Sequence, residues 1–316
     1  MDLGLSLCDD GIFRGIFGHE TSAPFLADLV NAVLRNADDT QIRSLEITNP
    51  FQLKELLAQK ESVLDIKAKD DQGRSFDVEV QVAWHKGFRE RILFYLTRLY
   101  SRQLDQGNKY DELRPVIGIV FTKFPIWPDH PEILCDSFCL YSKNNPSRIY
   151  SDHIKIHFVT VPEQLDVSLP MQDTALLQWL KLLNYPKATS EEEMESISEN
   201  NPFIKAALER TKFFLADPAV QDYVEGKRKF ELIQASIQQT IAEENFEKGI
   251  EKGIVMRAVK DLLELIEWNI ETPSDQCRTC IEGITDLGIL DSLKAKVGKK
   301  QITSLDELEQ ELQNLG

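Results

Sequence analysis

Two short segments in which polar and apolar residues alternate, joined by a four-residue turn, constrain the fold of this chain most strongly. Residues 62–69 read Ser-Val-Leu-Asp-Ile-Lys-Ala-Lys, residues 70–73 read Asp-Asp-Gln-Gly, and residues 76–82 read Phe-Asp-Val-Glu-Val-Gln-Val. Successive side chains of a strand point to opposite faces of the sheet. The pattern therefore predicts a β-hairpin with one apolar face and one acidic, amide-bearing face.

The polar face of this hairpin carries Asp65 on the first arm and Glu79 and Gln81 on the second. An Asp on one strand and a Glu two residues before a Gln on its partner can approach closely enough to share a hard divalent cation, which prefers carboxylate and carbonyl oxygens. The pattern indicates the geometry of a metal-dependent nuclease. The residues alone leave a second interpretation open, because alternating strands routinely carry charge on a face that meets water.

The remaining periodicity predicts an α/β core with a mixed central sheet flanked by helices, followed by an α-helical C-terminal region. Helical spacing of apolar residues marks residues 23–34 and a long amphipathic helix from Phe88 that ends near Gly107. Three further strand candidates are residues 116–121, 137–141 and 154–161.

Past residue 165 the strand signals stop, and we expect helices at residues 174–183, 202–215, 220–241 and 254–268. A charged Glu-Lys-Gly-Ile repeat at residues 247–254 is typical of a solvated helical connector. These observations predict three regions: an α/β core over residues 1–165, a helical extension with an acidic linker over 166–200, and a helical C-terminal region over 201–316.

The charge distribution is uneven. The net charge is −16, with 19 Lys and Arg against 24 Asp and Glu up to residue 165 and 17 against 28 after it. Within residues 86–123 the sign reverses, with eight basic side chains against four acidic ones. This segment is the candidate for local contact with phosphate groups.

Location is predicted from three further features. No apolar run approaches the roughly 18 residues that would span a bilayer, and the first ten residues contain three Asp and no basic segment. Five cysteines, an odd number without an export signal, favour reduced thiols. We therefore expect a cytoplasmic protein that does not enter a membrane.

Several motifs together resemble the Rpn family of recombination-promoting nucleases, candidate transposases with a PD-(D/E)XK fold, also called restriction-endonuclease-like. The likeness covers roughly residues 10–255. The motifs that carry it are Ile-Phe-Arg-Gly-Ile-Phe-Gly at 12–18, the first hairpin arm at 62–70, Val-Glu-Val-Gln at 78–81, Leu-Tyr-Ser-Arg-Gln-Leu at 99–104 and Tyr-Asp-Glu-Leu-Arg-Pro-Val-Ile at 110–117.

The resemblance implies a DNA endonuclease that hydrolyses phosphodiester bonds with Mg²⁺ or Mn²⁺. It implies Asp65 and Glu79 as metal ligands and Gln81 at the position where the wider superfamily usually has Lys. Gln81 can orient a water or a phosphate only by hydrogen bonds. Lys67, on the same strand face as Asp65, is a candidate for the missing positive charge, although a solvated strand Lys is the commoner explanation.

Two further candidate groups remain open. Glu20 corresponds to an acidic position that many such folds place beside the site, and a charge role at a helix N-terminus is an equal alternative. On the helix after the hairpin, a stripe spaced i, i+4, i+7 and i+11 is either a phosphate-tracking face or an ordinary charged helix surface. The stripe consists of Arg91, Tyr95, Arg98 and Arg102.

The sequence therefore predicts a metal-dependent endonuclease whose C-terminal helices support homo-oligomer formation or contacts with the target. The rival prediction is a catalytically silent or weak relative that acts as a DNA-binding or protein-interaction module. The overall acidity of the chain and the presence of Gln81 where the superfamily usually has Lys both permit this rival.

Overall fold

The computed structural model describes residues 6–53, 65–105, 107, 109–163, 174–187 and 189–314. Residues 62–64 of the first hairpin arm lie outside this part of the chain. The chain divides into two compact units, Met1–Gly226 and Lys227–Gly316. The first unit confirms the predicted α/β architecture with a mixed sheet.

A six-stranded mixed sheet forms the centre of the first unit, in the order β1-β2-β3-β4-β6-β5. Strands β3, β4 and β6 run parallel to one another, and β1, β2 and β5 pair antiparallel with their neighbours. The strands are β1 (Leu45–Ile47), β2 (Ile66–Asp70), β3 (Ser75–Gln81), β4 (Val116–Thr122), β5 (Cys135–Ser142) and β6 (Asn145–Thr160).

Helices occupy much of the rest of the described chain. They are α1 (Asp10–Phe17), α2 (Ala23–Asn36), α3 (Phe88–Ser101), α4 (Thr174–Leu183), α5 (Glu191–Asn200), α6 (Pro202–Leu215), α7 (Pro218–Asn269), α8 (Asp275–Glu282), α9 (Leu287–Gly298) and α10 (Leu305–Gln313).

The predicted hairpin is formed by β2 and β3. Ile66 pairs with Val78 and Lys67 with Asp77. In this register, apolar side chains of one arm lie beside apolar side chains of the other, and polar side chains lie beside polar ones. Ile66, Ala68, Phe76, Val78 and Val80 are all buried in the main hydrophobic core. Burial of this face fixes the register, because a slip of one residue would turn every apolar side chain outward.

The main core lies between that apolar face of the sheet and a layer of helices. Phe13 and Phe17 of α1, Trp179 of α4 and Phe214 of α6 belong to it, together with Phe121 of β4. Helices α4 and α6, which follow the last strand, thus pack into the same core as the sheet.

The opposite face of the sheet is covered by α3. Phe88, Ile92 and Leu96 of this helix pack in a separate cluster with Val116 and Val120 of β4 and Phe158 of β6. The helix approaches β4 closely at Gly118, where an added Cβ would stand 2.8 Å from the Leu96 Cδ1 atom. A glycine at this position therefore lets α3 lie directly against the strand beside β3.

Several predicted boundaries differ from the structure; strand β6, for example, begins at Asn145 rather than at Ile154. Helix α3 ends at Ser101 rather than near Gly107, and the Gln103 side chain then bonds the backbone of Arg114 through both its oxygen (2.8 Å) and its nitrogen (2.9 Å). The segments predicted as helices at 220–241 and 254–268 belong to one continuous helix, α7. The connecting repeat stays helical because Glu and Lys are good helix formers and each Gly costs only about 1 kcal/mol.

The second unit has a small core of its own. Leu262 and Ile266 near the end of α7 pack with Cys277 of α8, Leu293 of α9 and Leu308 of α10.

Candidate active site

A cleft of about 450 Å³ opens between the polar face of the hairpin and α3. Its lining combines carboxylates of α1, β3 and the start of β2 with basic side chains of α3. The lining residues are Asp10, Asp65, Lys67, Asp77, Gln81, Arg91, Tyr95, Arg98, Leu99 and Arg102. We call this the acid cleft.

Asp65 is held at the edge of the acid cleft by Asn49. The Asn49 Nδ2 atom donates a hydrogen bond to the Asp65 carbonyl (2.9 Å), and the Lys67 N–H donates to Asn49 Oδ1 (2.7 Å). The Asn49 side chain thereby makes, at the beginning of β2, the kind of backbone hydrogen bonds that a neighbouring strand would make. The backbone that carries Asp65 is fixed by these two bonds.

Asp77 lies on the floor of the acid cleft, opposite Lys67 in the hairpin register and beside Gly118 of β4. It is 7% exposed. Burial raises the pKa of Asp77, the charge of Asp65 raises it further, and Lys67 opposes the shift.

Glu79 lies on the same strand face and is equally buried. It shares an inner recess with Asp77, Tyr95 and Leu96, beneath α3. Burial raises the pKa of Glu79 well above the usual carboxyl range, and the charges of Asp65 and Asp77 and a hydrogen bond with Asp65 act in the same direction. The nearby Arg91 charge opposes them. Three carboxyl groups are thus crowded at one point.

Two oxygens in this cluster lack a hydrogen-bond partner within the described part of the chain, Asp77 Oδ1 and Glu79 Oε1. Buried polar atoms are normally paired, and an unpaired one costs free energy. Two buried nitrogens of Arg91, Nε and Nη2, are likewise unpaired there. Unpaired acceptors on β3 and unpaired donors on α3 therefore belong to residues that line the acid cleft and the recess beneath it.

Helix α3 brings the predicted basic stripe to the acid cleft. Arg91, Tyr95, Arg98 and Arg102 all line it. Arg91 is half-buried, whereas the other three are exposed. The arrangement places guanidinium groups opposite carboxylates with a cleft between them.

The structure brings together every predicted site residue except Glu20. Asp65, Lys67, Gln81 and the four α3 residues line the acid cleft, and Glu79 lies in the recess beneath it. Glu20 is exposed in a short 3₁₀ turn, Glu20–Ser22, and is not among the lining residues.

Sequence reasoning missed two acidic residues of the cleft. Asp10, at the first position of α1, lines the cleft. Asp77 was visible in the hairpin alternation, on the same face as Glu79, and that shared face was the signal that could have identified it.

Comparison with known protein families gives one match. The profile of the PD-(D/E)XK nuclease family transposases matches residues 7–240, which include every strand of the sheet and every residue of the acid cleft. The chain belongs to this family. Neither the curated proteins nor the solved structures gave a significant match.

Membership of the PD-(D/E)XK nuclease family transposases agrees with the mixed sheet flanked by helices. In the part of the chain described, no helix is both long and apolar enough to cross a membrane.

PD-(D/E)XK nucleases generally use divalent metal ions, and the acid cleft offers the oxygen ligands that such ions prefer. No group of three or more His, Cys, Asp or Glu side chains within the described ranges is arranged to hold a metal. Mg²⁺ is commonly bound through only one or two carboxylates, with water and substrate phosphate completing its shell. The unpaired oxygens of Asp77 and Glu79 fit that type of site.

Proposed function

We propose that this protein is a metal-dependent endodeoxyribonuclease that hydrolyses phosphodiester bonds in DNA, with Mg²⁺ or Mn²⁺ as its cofactor. The observation that carries the proposal is the cluster of Asp65, Asp77 and Glu79: Asp77 and Glu79 each have a buried, unpaired oxygen, and a row of α3 arginines lines the same cleft as Asp65 and Asp77. A divalent cation would relieve the repulsion among these carboxylates, and a DNA phosphate would pair with the arginines.

Asp65 and Glu79 are the proposed metal ligands, and Asp77 lies on the same strand face as Glu79, close enough to Asp65 for the two charges to interact. A bound divalent cation lowers the pKa of a coordinated water and neutralises negative charge on the scissile phosphate. Both effects address the main obstacles to hydrolysis of an anionic diester. Asn49 keeps the Asp65 backbone in place for this role.

Gln81 and Lys67 have supporting roles in this proposal. Gln81 lines the acid cleft at the end of β3 and would orient the attacking water or the phosphate through its amide. Lys67 lies opposite Asp77, so its ammonium group is available to the cleft as a positive charge.

The arginines of α3 would hold the DNA backbone. Arg91 reaches deepest, because it is half-buried and close enough to Glu79 to influence its pKa. Arg98 and Arg102 continue the row along the exposed helix surface, where guanidinium groups suit phosphate oxygens.

The rival function is a DNA-binding module without cleavage, which the uncharged Gln81 favours because it cannot replace the positive charge of a Lys. Incubation of supercoiled plasmid with the protein separates the two functions. We expect nicked circles to accumulate with Mg²⁺ or Mn²⁺ and not with excess chelator. If the protein binds the plasmid without metal and does not nick it, even at protein concentrations that saturate binding, the result would favour the DNA-binding module.

A further inference from the structure

An exposed group of aromatic and basic side chains lies at the N-terminal end of α3, just beyond the acid cleft. Residues 82–87, which connect β3 to α3, are all exposed, and they include Trp84, His85 and Lys86. Arg89 of α3 and Trp127, which follows β4, complete the group. We call Trp84, Arg89 and Trp127 the stacking platform.

Ring contacts and a hydrogen bond fix the two indoles of the stacking platform. The Trp84 ring contacts Phe88 and Phe124 edge to face, with ring centroids 5.8 and 5.7 Å apart. The Trp127 indole nitrogen donates a hydrogen bond to Asp136 Oδ2 (2.8 Å). Both indoles therefore have fixed orientations, although Trp84 is 47% exposed.

The Arg89 guanidinium is placed against both indoles, with its Cζ atom 4.9 Å from the centre of the Trp127 ring and 5.8 Å from that of Trp84. No carboxylate pairs with Arg89 in the part of the chain that the structure describes. Its charge is consequently available at the surface, next to planar aromatic rings. Flat rings beside an unpaired guanidinium are a combination that suits a nucleobase and its phosphate.

The platform follows the proposed catalytic strand directly. Trp84 is three residues after Gln81, so the Cα atoms of the two residues are at most about 10 Å apart. A DNA strand whose phosphate lies at Gln81 would thus pass the platform with a neighbouring nucleotide.

We propose that the stacking platform binds an unpaired nucleobase of single-stranded DNA, next to the phosphate held in the acid cleft. This inference rests on the proposed nuclease function and specifies its substrate as DNA with an unpaired segment. Bases inside a duplex are stacked on one another and do not offer a free face to Trp84. Stacking on an aromatic ring tolerates any base, so little sequence preference is expected.

The test is the binding of a fluorescein-labelled oligo(dT) strand, measured by fluorescence anisotropy in chelator so that no cleavage occurs. Trp84→Leu keeps apolar contact with Phe88 and Phe124 but lacks a planar face, and Trp84→Phe keeps a ring. We expect Trp84→Leu to weaken binding about tenfold, within the range for loss of one stacked base, and Trp84→Phe to stay within about threefold of wild type.

Three controls accompany the measurement. A blunt duplex should bind Trp84→Leu and wild type equally, and Tyr150→Leu, which removes another exposed aromatic ring from the same unit, should bind oligo(dT) like wild type. An oligo(rU) strand tests the assignment to DNA. The inference is overturned if Trp84→Leu and Trp84→Phe bind oligo(dT) alike, if duplex binding falls as much as single-strand binding, or if the loss occurs only with RNA. Because no cleavage is needed, plasmid nicking can fail independently and would then count against the nuclease proposal alone.

Discussion

At the scale of single residues, the main feature of this protein is a set of carboxyl groups buried at a point where they repel each other. Glu79 is the deepest of them, and burial and its acidic neighbours raise its pKa. In the metal-free protein this side chain opposes folding whenever it is ionised. A bound cation would reverse that effect, since it favours the ionised form.

The first prediction follows from this pKa shift. Because the folded protein holds a proton on Glu79 more tightly than the unfolded chain does, stability is greatest below the ordinary carboxyl pKa of about 4 and is lost as the pH rises through the raised pKa. We expect the stability of Glu79→Gln to depend less on pH. The unfolding free energy of this variant minus that of wild type should therefore increase as the pH rises from 5 to 9. Urea unfolding in chelator measures this, and an unchanged difference across that range would contradict it.

The second prediction concerns Gln81. If its amide orients water or phosphate, Gln81→Ala should lower the cleavage rate by about 10- to 100-fold, whereas Gln81→Lys should retain or raise it. Initial rates of plasmid nicking at fixed Mg²⁺ measure both variants. Wild-type turnover by Gln81→Ala would show that Gln81 is only part of the strand surface.

The sequence predicted the hairpin and the cleft face of α3 because both depend on local periodicity. It could not predict that Asp77 would be buried, since that depends on α3 lying against Gly118 two strands away from Lys67. The presence of Asp10 rather than Glu20 in the lining of the cleft has a similar cause. Which acidic residue reaches the sheet is decided by how α1 packs in the main core, and no short-range pattern records that packing.

At the scale of elements, helix α3 links the carboxylates of the acid cleft to the proposed DNA-binding surface. One side of it packs on β4 and β6, and another presents arginines to the acid cleft. The platform at its N-terminal end extends the same surface. The helix would therefore set the distance between the scissile phosphate and its neighbouring nucleotides.

The third prediction belongs to this helix. If Arg91, Arg98 and Arg102 contact phosphates, replacing all three with Gln should weaken duplex binding and lower the slope of log K against log salt by close to three units, since each phosphate contributes about 0.9. A matched control replaces Arg43, Lys143 and Arg148, which are exposed and do not line the acid cleft. Equal salt slopes for the two triple variants would indicate that the α3 arginines serve folding or protein contacts instead.

At the scale of the whole molecule, two compact units carry different surfaces. The first unit contains the acid cleft, and four basic side chains line it, so a net charge of −16 does not exclude DNA from the cleft. In the second unit, α7 exposes large apolar side chains at i, i+3, i+7 and i+11. They are Phe230, Ile233, Ile237 and Ile241.

The fourth prediction is that this apolar stripe supports self-association, as the sequence suggested for the C-terminal helices. A long helix with an exposed apolar stripe gains stability by burying it against a partner. We expect sedimentation velocity to show an oligomer for wild type and a monomer for Ile233→Glu combined with Ile237→Glu. The control, Ser236→Glu with Gln239→Glu, adds the same charge away from the stripe and should remain oligomeric. A monomeric wild type would contradict the prediction.

Nicking of supercoiled plasmid at matched Mg²⁺ concentrations tests whether the hairpin carboxylates form a metal-dependent hydrolytic site. Asp65→Ala removes a proposed metal ligand, and Asp71→Ala removes an exposed carboxylate from the turn of the same hairpin, outside the acid cleft. We expect Asp65→Ala to lose activity by about 10³-fold or more and Asp71→Ala to nick like wild type. Equal nicking by Asp65→Ala and wild type would contradict this expectation.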